Sequence, residues 1–172
     1  ISVNFSMYEI KKSGFYDDIM RILSGYQFDR SRVAFEITES LDAEHLDDIR
    51  VILQEFRDIG IKIYLDDFGT GYSNLEHITN LPIDVVKFDK SLVDSSGYSE
   101  RSKYLVEGMS NMFHSIGYQL LYEGIETAPD QERCIGMQAQ YLQGYRYSRP
   151  IPIEQLADFI KNPPKECAEV KN

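Results

Sequence analysis

Short runs of apolar and β-branched residues alternate with longer stretches of helical periodicity from one end of the chain to the other. The short runs predict strands at 1–5 (ISVNF), 33–38 (VAFEIT), 61–67 (IKIYLDD), 85–89 (VVKFD), 118–124 (YQLLYEG) and 141–147 (YLQGYRY). They are largely apolar rather than cleanly alternating, as strands covered on both faces are. The clearest helix is predicted over 43–59, where Leu46, Ile49, Leu53 and Phe56 fall on one face and Gly60 stands where a left-handed cap is wanted. Thr127 and Asp130 have capping-box spacing, and Pro129 between them suits a first helical turn. Strand followed by helix, repeated along the whole chain, predicts a parallel sheet with right-handed crossovers.

Such a sheet is either open and doubly wound or rolled into a barrel. Polar residues decide between them: Asn4, Glu36, Asp66 with Asp67, Lys87, Glu123 and Gln143 each lie in or at the carboxyl end of a different predicted strand. In a (β/α) barrel those ends converge on one mouth, where such folds carry their chemistry. The outer strands of an open sheet are too far apart to share a site. Six strands do not close an ordinary eight-stranded barrel, so two are expected to be missing. The chain also starts at Ile1, without a methionine and directly in a strand, which suggests a fragment of something longer. Residues 1–160 are expected to form one partial domain and 161–172 a tail, with no internal repeat or low-complexity linker.

Composition adds limits. At 172 residues, with 42% hydrophobic and 27% charged, the chain can bury a core of its own. A net charge of -10 argues against duplex nucleic acid as a partner. The absence of a long apolar run or signal segment leads to a cytoplasmic expectation. Cys134 and Cys167 are far apart and are expected to be reduced thiols, one in the core and one in the tail.

Converging strand ends bring together Glu36, Asp66, Asp67, Asp89 and Glu123, with Glu126 close by. So many carboxylates in one cavity repel unless cations offset them. His45, His77 and His114 fall on helix or loop segments, so the donors are hard oxygens plus the Asn4 amide, which select Mg2+ or Mn2+ over zinc. Adjacent aspartates suit two-metal hydrolysis of a phosphate ester. Lys87, the one cation of the set, is placed to orient or deprotonate the attacking water or to neutralise a phosphate. A lysine snorkelling from a strand end is the ordinary explanation of such a residue. Its ring of acids favours the chemical role.

The stretches SVNFS, FEITES, DDFGTGYSNLEHITNLPIDVVKFDKSLV, EGIET and QGYRYSRPIP together resemble the EAL domain family of bacterial cyclic-di-GMP phosphodiesterases, from about Ile1 to about Ile153. The resemblance implies a TIM-barrel-like α/β fold with one antiparallel strand, and hydrolysis of cyclic-di-GMP to linear pGpG with Mg2+ or Mn2+. By motif, Asn4, Glu36, Asp66, Asp67 and Glu123 are similar to the family's metal ligands, with Asp66 bridging. Lys87 resembles the lysine that assists the catalytic water, and with Glu123 and Asp67 makes the catalytic set. Asp89, Glu126 and Gln143 match positions that bind substrate. Glu39 resembles the glutamate that anchors the DFGTGYS loop around Thr70, a loop implicated in dimerisation.

The Glu-Ala-Leu motif that names the family, and its phosphate-binding arginine, are not in this sequence. The chain is therefore expected to be the carboxyl-terminal piece of such a domain, inactive alone and prone to dimerise or self-associate through an open barrel edge. Its parent is expected to carry a GGDEF or sensory domain and to be membrane-tethered or free in the cytoplasm. Two other readings compete: a degenerate domain that binds cyclic-di-GMP or a protein without cleaving anything, and an aldolase-like barrel with Lys87 as Schiff-base lysine. The surplus of acids of the metal-binding kind disfavours the last.

Overall fold

Six strands form where the apolar runs predict them: β1 (Ser2–Phe5), β2 (Ala34–Thr38), β3 (Lys62–Phe68), β4 (Val85–Phe88), β5 (Gln119–Tyr122) and β6 (Tyr141–Leu142). The structure is a computed structural model and describes residues 1–38, 46–71 and 75–168. All the strands are parallel and pair in chain order from β1 to β6. A doubly wound sheet reverses its strand order at a switch point. Strands laid down one after another in one direction are the arrangement of a (β/α) barrel. Among the described residues β1 and β6 remain the free edges of the sheet.

The helices are α1 (Met7–Ile10), α2 (Phe15–Ser24), α3 (Leu46–Asp58), α4 (Leu75–Asn80), α5 (Lys90–Ser96), α6 (Glu100–Ser115), α7 (Ala128–Gly136), α8 (Ile153–Lys161) and α9 (Lys165–Ala168). Helices α1 to α7 contribute residues to one buried cluster against one face of the sheet. Phe35, Ile37, Ile63, Leu65, Val86, Phe88, Leu120 and Tyr122 point from the strands into the same buried cluster as Ile49, Leu53 and Phe56 of α3, Val93 of α5 and Val106 and Phe113 of α6. Alternation along each strand sends Asn4, Glu36, Tyr64, Asp66, Lys87 and Leu121 to the other face. The runs look uniformly apolar because Ala34, Val85 and Leu121 on that second face are buried as well.

Local signals place the helix ends. Gly60 has φ 96° and closes α3 in the left-handed region. Thr127 accepts from the Asp130 backbone N–H while the Asp130 carboxylate accepts from Thr127, so the predicted capping box starts α7. Asp130 also accepts from Arg133 at 2.6 Å. Burial pushes the Asp130 carboxyl up, but the Thr127 and Arg133 bonds outweigh it and hold the carboxyl below its ordinary value. Residues 43–45 of the predicted α3 lie outside the described residues.

The last strand is shorter than the predicted 141–147. After Leu142 the chain turns, with Tyr147 and Ser148 N–H both donating to the Gly144 carbonyl. Aromatic and polar alternation over YLQGYRY mimics a strand, but the chain closes into this turn instead, with Gly144 close against Ile125. Cys134 is buried and its thiol is pushed up to about 12, whereas Cys167 is half-buried in α9.

Candidate metal centre

The two adjacent aspartates sit at a β-bulge. β3 pairs regularly with β4 at Tyr64–Val85 and Leu65–Val86, then shifts so that Phe68 faces Phe88. The extra residue is Asp67, at φ 56°, in the left-handed region a non-glycine residue rarely adopts. The bulge lets Phe68 drop onto the helix-covered face, where it stacks on Phe88 with ring centroids 5.3 Å apart. Without it Asp67 would point toward the core and Phe68 toward the other face. With it, both aspartates stay at the carboxyl end of the sheet. The Thr70 hydroxyl and N–H both close back on the Asp67 carbonyl, at 3.0 and 3.2 Å.

Lys87 is the hub of the site. Its Nζ donates to Asp66 Oδ1 at 2.6 Å and Glu36 Oε2 at 3.0 Å, and lies 2.8 Å from Glu123 Oε1. The side chain is only 5% exposed, so one ammonium holds carboxylates from β2, β3 and the end of β5 together. Burial pulls the Lys87 amine down, but its bonds to Asp66, Glu123 and Glu36 more than offset this, and it is held above its ordinary value. Glu123 is pushed up, chiefly by burial and further by Asp66 and Glu36, with Lys87 pulling it back. Asp67 is also raised, by burial first and then by Asp66 and Asp89.

One lysine does not balance this many acids. Asp66, Asp67 and Glu123 each place a carboxylate oxygen within 4.8 Å of the others, close enough to hold an ion between them. Three hard oxygens without sulfur or imidazole fit Mg2+, Mn2+ or Ca2+. The site therefore suits divalent metal ions.

The other predicted residues surround this centre in different ways. Glu36 faces Lys87 and lies outside the tight carboxylate group, and Asn4 pairs with Glu36 in register across β1 and β2 on an exposed edge. Asp89 follows β4 and spends one oxygen as the cap of α5, accepting from the Ser91 N–H at 2.8 Å. Glu126 is exposed and pairs with Lys90 at 3.3 Å. Gln143 is one residue beyond β6 and exposed, but its backbone bonds Tyr122 O at 2.9 Å and Ile125 N at 3.0 Å. Glu39 lies outside the described residues.

Sequence reasoning missed the residues that hold these segments in place. Gln131, buried in α7, accepts from Arg146 Nε at 2.8 Å and from the Tyr147 hydroxyl at 2.9 Å, tying the 143–147 turn to the helix after Glu126. Gly144 has no room for a side chain, because a Cβ there would collide with the Ile125 backbone. A glycine one residue after a candidate site residue was the only signal in the sequence.

Comparison with known proteins adds to the geometry. Residues 1–150 match the family described as "EAL domain". "Signaling protein YkoW" of Bacillus subtilis is 31% identical over 166 residues, covering 96% of this chain and 21% of that protein. Among solved structures, "Crystal structure of the EAL domain of Mycobacterium smegmatis DcpA" superposes with a TM-score of 0.87 at 28% identity, covering 94% of this chain and 73% of that one. "PaMucR Phosphodiesterase, c-di-GMP complex" gives 0.81 at 30% identity, over 91% and 63%. A Klebsiella pneumoniae BlrP1 manganese and cyclic-di-GMP complex gives 0.76 at 26% identity, over 87% and 38%. The chain spans 21% and 20% of the first two curated relatives it matches.

Proposed function

The chain belongs to the EAL domain family, and from that premise we propose that it carries the metal and water-handling side of a cyclic-di-GMP phosphodiesterase site. The observation that carries the reading is the Lys87 ammonium bound among Glu36, Asp66 and Glu123 beside a second aspartate, Asp67. Relatives described as phosphodiesterases and as cyclic-di-GMP complexes support it. Asp66, Asp67 and Glu123 would hold Mg2+ or Mn2+, with Glu36 and Asn4 completing the donors. Such ions lower the pKa of water and offset phosphate charge.

In this reading the chain's own residues divide the remaining work. Lys87, charged and fixed by three carboxylates, orients the attacking water toward phosphorus. Glu123 and Asp67 are the carboxylates placed to take its proton. Water oxygen bonds to phosphorus, the ester bond to the ribose oxygen breaks, and that oxygen takes up a proton to leave linear pGpG. Gln143, Asp89 and Glu126 stand at the rim, where the nucleotide lies. No described helix is long and apolar enough to cross a membrane, and a cytoplasmic second-messenger role completes the proposal.

Mn2+ titration followed by chromatography of cyclic-di-GMP tests it. Mn2+ is expected to bind, and Asp66→Asn to weaken binding by about tenfold or more, at least the loss seen when only a supporting partner of a ligand is removed. No Mn2+ binding at millimolar concentration removes the metal reading. Asn4 is exposed on the free edge of the described sheet, so the chain alone is expected to show no sustained turnover, and Mg2+-dependent release of pGpG by it overturns that part. A non-catalytic cyclic-di-GMP module is the second reading. Binding of the dinucleotide in chelator, with no hydrolysis in Mn2+, identifies it.

Self-association belongs to the same proposal. Val3 on β1 and Tyr141 on β6 are more than two-fifths exposed on the free sheet edges, which are templates for pairing with another chain. Light scattering at increasing concentration is expected to show growing mass. A monomer throughout the range ends the idea.

A further inference from the structure

Asp66 and Asp67 lie at the end of β3 and Glu123 directly after β5, and the two loops that follow them rest on the first turn of α5. Gly69, two residues after Asp67, lies against Leu92. A Cβ on Gly69 would fall 2.6 Å from Leu92 Cγ and Cδ1. Gly124, directly after Glu123, lies under the stem of Lys90. A Cβ there would fall 2.7 Å from Lys90 Cδ and closer still to Cβ and Cγ. The two glycines have φ of 104° and 69°, so both the backbone shape and the lack of a side chain are used at each contact.

The turn that makes these contacts is itself fixed. Asp89 caps it through the Ser91 N–H, and the Asp89 N–H donates to the Phe68 carbonyl at 3.1 Å. On the other side the Glu123 N–H donates to the Phe88 carbonyl at 3.0 Å. Lys90 Nζ lies 3.3 Å from both Asp94 and Glu126, but all three side chains are more than a third exposed. Exposed pairs of this kind contribute little. The closer contact is made by the aliphatic stem on Gly124.

We propose that the first turn of α5 is a spacer, in which Lys90 and Leu92 are positioning residues that set the separation between Asp66–Asp67 and Glu123. Lys90 and Leu92 are two residues apart on one rigid turn, so moving either contact moves one loop relative to the other. A loss of the Leu92 contact lets the Asp67–Gly69 segment sink toward the helix. A loss of the Lys90 stem does the same for Glu123–Gly124. The inference rests on the reading of these carboxylates as a metal centre.

The test uses Leu92→Ala, Lys90→Ala and Lys90→Met, with Mn2+ affinity measured by titration below each variant's unfolding temperature. The second readout is the NMR signal of the Lys87 ε-carbon in metal-free protein carrying labelled lysine. Leu92→Ala and Lys90→Ala are expected to lower Mn2+ affinity by about tenfold, as removal of residues behind a metal site does, and to shift the Lys87 signal. Lys90→Met, which keeps the stem, is expected to recover most of the loss. Folded alanine variants with wild-type affinity and an unmoved Lys87 signal overturn the proposal. So does a Lys90→Met as impaired as Lys90→Ala, since the charge pairs would then be the cause. If the wild type binds no Mn2+, the metal reading fails by itself, and the Lys87 signal alone decides whether α5 sets the spacing.

Discussion

Lys87→Met is expected to destabilise the metal-free protein by about 3–5 kcal/mol, the cost of breaking a buried ion pair by removing one partner. Methionine fills the volume but leaves Glu36, Asp66 and Glu123 facing one another without a cation. The whole protein has only about 5–15 kcal/mol of stability, so this is a large share. Urea denaturation in chelator measures it.

The sign of the pH dependence follows from Glu123, whose carboxyl is already raised by burial even with Lys87 beside it. A carboxylate with a raised folded pKa keeps a proton that the unfolded chain has released, so stability falls as pH rises from the ordinary glutamate value through the folded one. Removing Lys87 takes away the group that pulls Glu123 down. The deficit of Lys87→Met is therefore expected to be smaller near pH 5 and larger near pH 8. Saturating Mn2+ is expected to reduce it, because an ion that takes over the place of the ammonium among these carboxylates binds the variant more tightly than the parent, and a hundredfold tighter Kd recovers about 2.7 kcal/mol of the deficit. A deficit under about 1 kcal/mol in chelator, or one that Mn2+ leaves unchanged, contradicts the assignment of Lys87 as the cation holding the centre together.

Gly144→Ala carries the second large effect, an expected loss of about 3 kcal/mol, the upper part of the usual range for overpacking. The new methyl group would meet the Ile125 carbonyl oxygen and nitrogen. Backbone cannot swing aside as a side-chain tip does, and Ile125 is held by bonds to Gln143 O and from the Arg146 N–H. The substitution therefore separates the 143–147 turn from the segment after Glu123. Gly108→Ala is the control: that glycine is in the middle of α6 with nothing within 4 Å of a Cβ. It is expected to stabilise by up to about 1 kcal/mol through helix propensity. Thermal unfolding of both variants checks the opposite signs, and a Gly144→Ala protein as stable as the parent would refute the contact.

Much of the fold was legible because it is local. The apolar runs, the glycine after α3 and the Thr127–Asp130 box mark their elements through contacts a few residues long. Where a local signal was ambiguous the expectation overreached, as with YLQGYRY, whose strand-like alternation gives way to a turn that sets Gly144 against Ile125, nineteen positions away. The grouping of the acids was legible too, since one rule of topology gathers all carboxyl ends of a parallel sheet on one side.

The sequence by itself determined the elements, their parallel order, the acids that gather at the strand ends and the family. Only the tertiary structure decided how the acids are shared out. The bulge at Asp67 keeps two adjacent aspartates at the mouth, Lys87 reaches carboxylates on three other segments, and Gly69, Gly124 and Gly144 admit Leu92, Lys90 and Ile125. Each of these is a contact between segments distant in sequence. Its geometry depends on strand register and on the room left by an absent side chain, and neither is a property of any one stretch of residues.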